Sequence, residues 1–274
     1  MPLRVRAALG AMCVVLSACR GRDSSPESPL NADGSVAPAS AATAKAEIQF
    51  AAAAGEPASS FPEPSRPVAS IVAPRWTNED ARDDAGEFAR VAKIAGIGTG
   101  TRVADIGAGD GYYLTRLAPI VGSTGLVYGE DIVSDYLSLL QERLSREKLT
   151  NTRVVRGEAH DPRLPAGDLD VALMIHMYHE IDQPFGLLYN LAPSLKAGGR
   201  VVILDLDRPT FGHGTPPSLL RCELQAVGYT ELSFTRSGGE EYVAVFKAPN
   251  TAARPSPAAV RERLNASPCR APLE

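Results

Sequence analysis

From Trp76 to Lys247 the chain alternates short apolar runs with longer segments whose apolar residues recur every three or four positions. Such a pattern predicts strands and amphipathic helices in turn. Thr77 or Asn78 caps a helix through Ala95, with Phe88, Val91, Ala92 and Ala95 on one stripe. The runs TRVADI, GLVYGED, TRVVRG, LDVALMIH and RVVILDLD read as five strands, the last following a turn at Gly198 and Gly199. Helices are predicted over 112–118, over 134–148 and from Ser218, the last turning Leu220, Leu224 and Val227 inward. Strands with Val, Ile and Leu at consecutive positions are buried on both faces, so they belong to a parallel sheet between two helical layers. YTELSFT and EYVAVFK close it as a hairpin-like pair. The predicted fold class is α/β, with seven strands in one domain over residues 76–248.

The ends of the chain read differently. Arg4 and Arg6 precede an apolar run from Ala7 to Ala18, too short to span a bilayer as a mature helix, and residues 1–19 have the form of an export signal. Its last residues, LSAC, resemble the lipobox of bacterial lipoproteins, which implies that Cys19 becomes the lipidated first residue of the mature chain. Residues 20–75 contain eight prolines and many Ala and Ser. They lack the large apolar groups of a core and are expected to form a disordered linker. Residues 249–274 return to that composition and are expected to be a disordered tail. With Cys13 lost and Cys19 acylated, Cys222 and Cys269 remain, too few for a disulfide framework. Cys222 reads as a packed thiol.

Charge and composition narrow the partners. A formal net charge of −4, 6% aromatic residues and a single tryptophan provide neither a basic surface nor a stacking platform for nucleic acid. No nucleic-acid partner is expected, and contact with a membrane is expected through the lipid anchor only.

The candidate chemistry starts at VADIGAGDGYY, residues 103–113. Val103, Ala104 and Ile106 form a buried strand, the chain turns at Gly107 and Gly109, and Gly111 opens a helix. Glycines there let the backbone approach a nucleotide-like ligand closely, and Asp105 accepts hydrogen bonds from its cationic or hydroxylated part. The acid at Asp110, inside a D-x-G-x-G-x-G pattern, disfavours the pyrophosphate of a dinucleotide.

These residues resemble motif one of the class I S-adenosylmethionine-dependent methyltransferases, and the resemblance spans about residues 80–247. It implies a Rossmann-like three-layer sandwich with sheet order 3-2-1-4-5-7-6 and an antiparallel last strand, and S-adenosyl-L-methionine as cofactor. Carried over residue by residue, it puts Asp105, Gly107, Ala108, Gly109 and Gly111 in the glycine turn. Asp131 at the end of VYGED would hold both ribose hydroxyls, with Glu130 as its neighbour and alternative. A carboxylate suits that task because it offers two acceptors side by side. RGEAHDPRLP is similar to the loop bordering adenine, which places Glu158 and Ala159 at the ring edge, and LKAGGRVVILD matches the turn into strand five.

His160, His176, His179 and His213 are the only histidines, and each follows a predicted parallel strand, so they are expected on one rim. HMYHEI ends strand four, where the resemblance puts residues against cofactor and acceptor. His176 is assigned to the cofactor, His179 to proton acceptance or pocket shaping, and Glu180 to orienting His179. Asp207 ends strand five as a further contact or loop cap. The three-residue gap between His176 and His179, on strand and loop rather than helix, gives a metal little support, and none is expected. The expected function is methyl transfer to an unidentified small or envelope-associated acceptor by in-line displacement, on a protein anchored in the cell envelope and facing the periplasm. The alternatives are a lipid-anchored, non-catalytic ligand-binding module, and a cytoplasmic protein should the start codon be misassigned.

Overall fold

The apolar runs become seven strands in the protein's computed structural model, which describes residues 48–72, 78–250 and 252–271. They are β1 (Arg102–Ile106), β2 (Leu126–Asp131), β3 (Thr152–Arg156), β4 (Leu169–Ile175), β5 (Leu195–Leu206), β6 (Thr230–Gly238) and β7 (Glu241–Lys247). One sheet takes all seven in the order β3-β2-β1-β4-β5-β7-β6. The first five are parallel, and β7 pairs antiparallel with both β5 and β6. The expected export signal, Cys19 and Trp76 lie outside the described residues.

Alternation of side chains along each strand feeds two cores. Val103, Val127, Val171, Leu173, Val202 and Leu204 face α2 (Glu87–Ala95), α3 (Tyr112–Val121) and α4 (Ser134–Arg146). Ala104, Ile106, Ala172, Met174, Val201 and Ile203 face α5 (Pro184–Leu191), α6 (Pro217–Ala226) and α7 (Pro257–Ala266). Neighbouring residues of one strand thus serve opposite layers. That is why the runs are continuously apolar rather than alternating.

Several expectations need correction. The helix expected up to Ala95 is two: α1 (Glu79–Asp84), capped by the Asn78 side chain on the Asp80 amide, and α2, separated at Gly86 with φ of +64°. Helix α5 was not predicted because all eight of its residues are buried and it shows no polar face to reveal a period. Strand β5 begins before the glycine pair, at Leu195, with a register irregularity against β4.

Both supposedly disordered segments are ordered where they are described. The tail forms α7, buries Val260 and Leu264, and is joined to α6 by a disulfide between Cys222 and Cys269, Cα atoms 5.5 Å apart. Cys222 is therefore not a free packed thiol. Composition was misleading because this segment borrows the domain's core instead of building one. Residues 48–72 do the same as a strap. Phe61 is buried against Tyr189, ring centroids 5.0 Å apart. Asn190 exchanges hydrogen bonds with both the amide and carbonyl of Glu56. Arg66, fully buried, pairs with Glu223 at 2.8 Å and donates to the Tyr178 and Ile181 carbonyls.

Candidate functional site

The parallel strands end together at one rim, and a cleft of about 1090 Å³, counting its open mouth, lies across the ends of β1, β2 and β4. Open α/β sheets bind their ligands at such a place. Three backbone turns shape the floor. Gly107 and Gly109 have φ of +70° and +56°, which side chains resist, and a Cβ on Gly107 would sit 3.1 Å from Met177 Cε. Gly111 has a different duty from the one expected of it. It lies outside the cleft wall as the residue that opens α3, and a Cβ there would strike Leu140 Cδ1 at 2.4 Å.

Asp131 stands at the end of β2 with its carboxylate pinned by backbone. The Gly109 amide donates to Oδ2 at 3.0 Å and the Val133 amide to Oδ1 at 2.9 Å. Each oxygen keeps a lone pair for a ligand facing the cleft. Burial pushes this carboxyl up while those amides oppose the shift. Glu130 is different. It is buried, Oε1 has no hydrogen-bond partner among the described residues, and burial together with the Asp131 charge pushes its carboxyl well up. Gly157 lies close beside it, and a Cβ there would overlap Glu130 Oε1 unless that side chain shifted. Asp105, also buried, is pushed up to about 7 by burial, with Arg82 opposing and Asp131 adding to the shift. A cleft floor with three neighbouring acids is built to receive positive charge.

Glu158 and Ala159 line the cleft beyond β3 as expected. His176 lines it too, at φ of +53°, with Nε2 3.3 Å from Glu87 Oε2 on α2. Glu87 is buried and also takes Arg82 and the Tyr113 hydroxyl. Burial works to raise this carboxyl, but hydrogen bonds from His176 and Arg82 hold it at about 2. Motif reasoning missed several wall residues: Arg82, Tyr112, Ile132, Tyr136 and Met177, together with Ile71 and Val72 of the strap. The exposed Ile132, directly after Asp131, carried a usable signal in its position.

The four histidines do not share one place. His160 packs beside Gly186 and is not itself on the cleft wall, although its Nε2 lies 3.9 Å from Glu158 Oε2. His179 and His213 meet edge to face, ring centroids 5.4 Å apart. His179 is 3% exposed and stands behind the cleft wall, while its neighbour Glu180 is on that wall. The partner that orients His179 is Asp205 rather than Glu180: Nδ1 is 3.0 Å from Asp205 Oδ1. Asp205 in turn accepts from the Thr215 hydroxyl and the Leu206 amide. Glu180 Oε1 accepts from the Val72 amide at 3.1 Å and lies 4.0 Å from His179 Nε2. Burial raises the Glu180 carboxyl. Asp207 serves as a rim partner of Arg236 at 2.5 Å.

Residues 103–199 match the family model described as a methyltransferase domain. Aklanonic acid methyltransferase from Streptomyces sp. (strain C5) is 32% identical over 130 residues, 47% of this chain and 58% of the relative. A ubiquinone/menaquinone biosynthesis C-methyltransferase from Ectopseudomonas mendocina (strain ymp) is 29% identical over 118 residues, 43% of this chain and 46% of that one. The chain thus spans about half the length of the curated relatives it matches. A SAM-dependent methyltransferase structure from Aquifex aeolicus superposes with a TM-score of 0.58 at 23% identity, covering 62% of this chain and 93% of that one.

The sheet order is that of a Rossmann-like α/β fold, shared with the Aquifex aeolicus structure, and residues 103–199 of that fold match the methyltransferase-domain model. The residues fit the cofactor of such domains. Two glycines at positive φ leave the cleft floor bare, and Asp131 presents a fixed carboxylate beside them.

Proposed function

We propose that this chain transfers the methyl group of S-adenosyl-L-methionine to a small organic acceptor. The observation that carries the reading is the Asp131 carboxylate, held by the Gly109 and Val133 amides at the edge of a glycine-floored cleft. Asp131 holds the ribose hydroxyls, the backbone of residues 107–109 lies against the cofactor, and Glu158 and Ala159 border its adenine. When bound, the cofactor supplies an electrophilic methyl on a positively charged sulfur. In-line displacement asks the protein mainly for alignment. Asp105 and its acidic neighbours favour the cation, while Ile71 and Val72 of the strap keep water from the mouth. Glu180 is the ionisable group that faces the acceptor side, and it assists removal of the acceptor's proton. His179 and Asp205 hold that corner from behind. Support for a small organic acceptor comes from the names of the relatives, which act in aklanonic acid methylation and in quinone biosynthesis.

We further propose that the protein works in the cell envelope, facing the periplasm and anchored through lipid on Cys19. The Cys222–Cys269 disulfide supports this, since such bonds persist in oxidising compartments. The second reading, a non-catalytic binding module, draws on the same bond, because it favours a compartment outside the one where S-adenosylmethionine is made. Calorimetry with S-adenosylhomocysteine, followed by a search for labelled products in envelope extract supplied with labelled S-adenosylmethionine, separates the two. Micromolar binding with a methylated product supports the enzyme, whereas no binding overturns the enzyme and leaves the module, which would hold another ligand.

A further inference from the structure

Behind the cleft wall, three groups from distant parts of the chain point at one space. His179 and Glu180 come from the turn after β4, and His213 from the loop after β5. One ligand-type atom of each lies within 4.8 Å of the other two. We propose that this is a divalent transition-metal site of the two-imidazole, one-carboxylate kind, which meets the cleft at Glu180.

Three further observations point the same way. His179 presents Nε2 because Nδ1 is taken by Asp205, which is itself fixed by Thr215 and the Leu206 amide. A carboxylate behind a ligating imidazole sets its tautomer and orientation, as protein metal sites commonly do. His213 has a buried Nδ1 with no hydrogen-bond partner among the described residues, a cost that a metal or an added proton acceptor would remove. Glu180 is held by the Val72 amide, so the carboxylate is positioned without being neutralised. Bond lengths of about 2.0–2.2 Å put ligand atoms roughly 3.4 Å apart around a tetrahedral ion. Nε2 of His179 and Oε1 of Glu180, now 4.0 Å apart, need close by only about 0.6 Å. A second group, Glu87 with His176 and Glu241, also meets the distance requirement. Arg82 already pairs with Glu87, and Arg90 with Glu241 at 2.5 Å, which makes it a satisfied ion-pair network.

Two imidazoles, a carboxylate and an open position suit Zn²⁺. Resting on the methyltransferase reading, the site specifies an acceptor whose hydroxyl or thiol becomes a ligand to the ion. The ion lowers the pKa of that group and its proton leaves to water. The bond from oxygen or sulfur to the methyl carbon then forms as the carbon–sulfonium bond breaks, its electron pair remaining on the departing neutral thioether. Glu180 belongs to both sites: with the ion bound it is a ligand and the acceptor's proton goes to water, whereas without the ion it is the group that takes that proton.

The test uses the full chain purified without an affinity tag, stripped with chelator and titrated with ZnCl₂ alone by calorimetry. The expected result is one equivalent at micromolar affinity or tighter, weakened at least tenfold in both His213→Ala and Glu180→Gln. His213→Ala should keep its thermal unfolding profile and its affinity for S-adenosylhomocysteine. Absence of stoichiometric binding overturns the proposal, and so does unchanged zinc affinity in His213→Ala, which would move the ion to the Glu87 group. Titrating S-adenosylhomocysteine into the stripped protein keeps the two readings apart. Failure there sinks the methyltransferase reading and leaves the metal site standing, whereas failure with zinc alone does the reverse.

Discussion

At the scale of single residues, the site separates two adjacent acids by what holds them. Asp131 receives two backbone amides and faces the cleft, so Asp131→Ala removes the paired acceptors for a ribose. Calorimetry with S-adenosylhomocysteine should show affinity lower by roughly 1–3 kcal/mol. Glu130→Gln should leave that affinity within a factor of a few, since burial and the Asp131 charge favour the protonated Glu130 carboxyl, which the amide resembles in charge and shape. The reverse order would place the ribose one residue earlier. Asp105 gives a pH dependence. Its carboxyl is pushed up to about 7 from an ordinary 3.8 by burial, so the free protein gains stability when it is protonated and loses it as pH rises toward and through 7. A cationic ligand reverses the preference, because only the ionised form attracts it. Affinity for S-adenosylmethionine should therefore fall by roughly tenfold between about pH 7.5 and about pH 5.5, and Asp105→Asn should flatten that profile. A profile unchanged by the substitution would remove Asp105 from the binding site. The positions of Gly107, Gly109, Glu130 and Asp131 on the cleft were legible in sequence, because a tight turn after a buried strand demands glycine and an acid ending the next parallel strand lies beside it. Asp205 as the partner of His179 was not, since the pair is 26 positions apart and only the fourth and fifth strands lying side by side bring them together.

At the scale of elements, the strap over residues 48–72 shows how a segment without a core of its own becomes ordered. Its backbone groups are taken by side chains of the domain, among them Asp161, Asn190 and Glu180. Arg66 runs the other way and inserts a guanidinium between α6 and the turn of Tyr178–Glu180. Removing one partner of a buried pair leaves the other charge unmatched, so Arg66→Ala should lower unfolding free energy by about 3–5 kcal/mol in denaturant titration. The double change Arg66→Ala with Glu223→Gln should recover part of that loss. Additive losses would show that Glu223 is stabilised by other means, such as its bond from the Tyr178 hydroxyl at 2.9 Å. Proline and alanine content predicted disorder here because such content measures what a segment can bury alone. It is blind to docking. The strands were legible for the opposite reason, since each carries its apolar residues locally, whereas α5 is buried all round and hides its period.

At the scale of the whole molecule, the proposed envelope location can be tested at two independent marks, Cys19 and the Cys222–Cys269 disulfide. Cys222 and Cys269 are 47 positions apart and link α6 to the segment after α7, so replacing both with Ala should cost about 2–4 kcal/mol of stability. More telling is the state of that pair in cells. If Cys19 carries the lipid, wild-type protein should incorporate labelled palmitate and fractionate with membranes, while Cys19→Ser should do neither. Acyl chains contribute about 0.8 kcal/mol per buried methylene, far more than a chain of net charge −4 gains at an anionic bilayer. Trapping thiols with an alkylating reagent at the moment of lysis should find Cys222 and Cys269 already oxidised in the wild type, because periplasmic oxidation outpaces reduction. The two marks test each other. Lipid label with an oxidised pair places the domain in the envelope and makes cofactor supply across the inner membrane a requirement of the enzyme. An unlabelled, soluble protein whose two cysteines react with the trapping reagent would sink the envelope assignment. It would also return the domain to the compartment where S-adenosylmethionine is made.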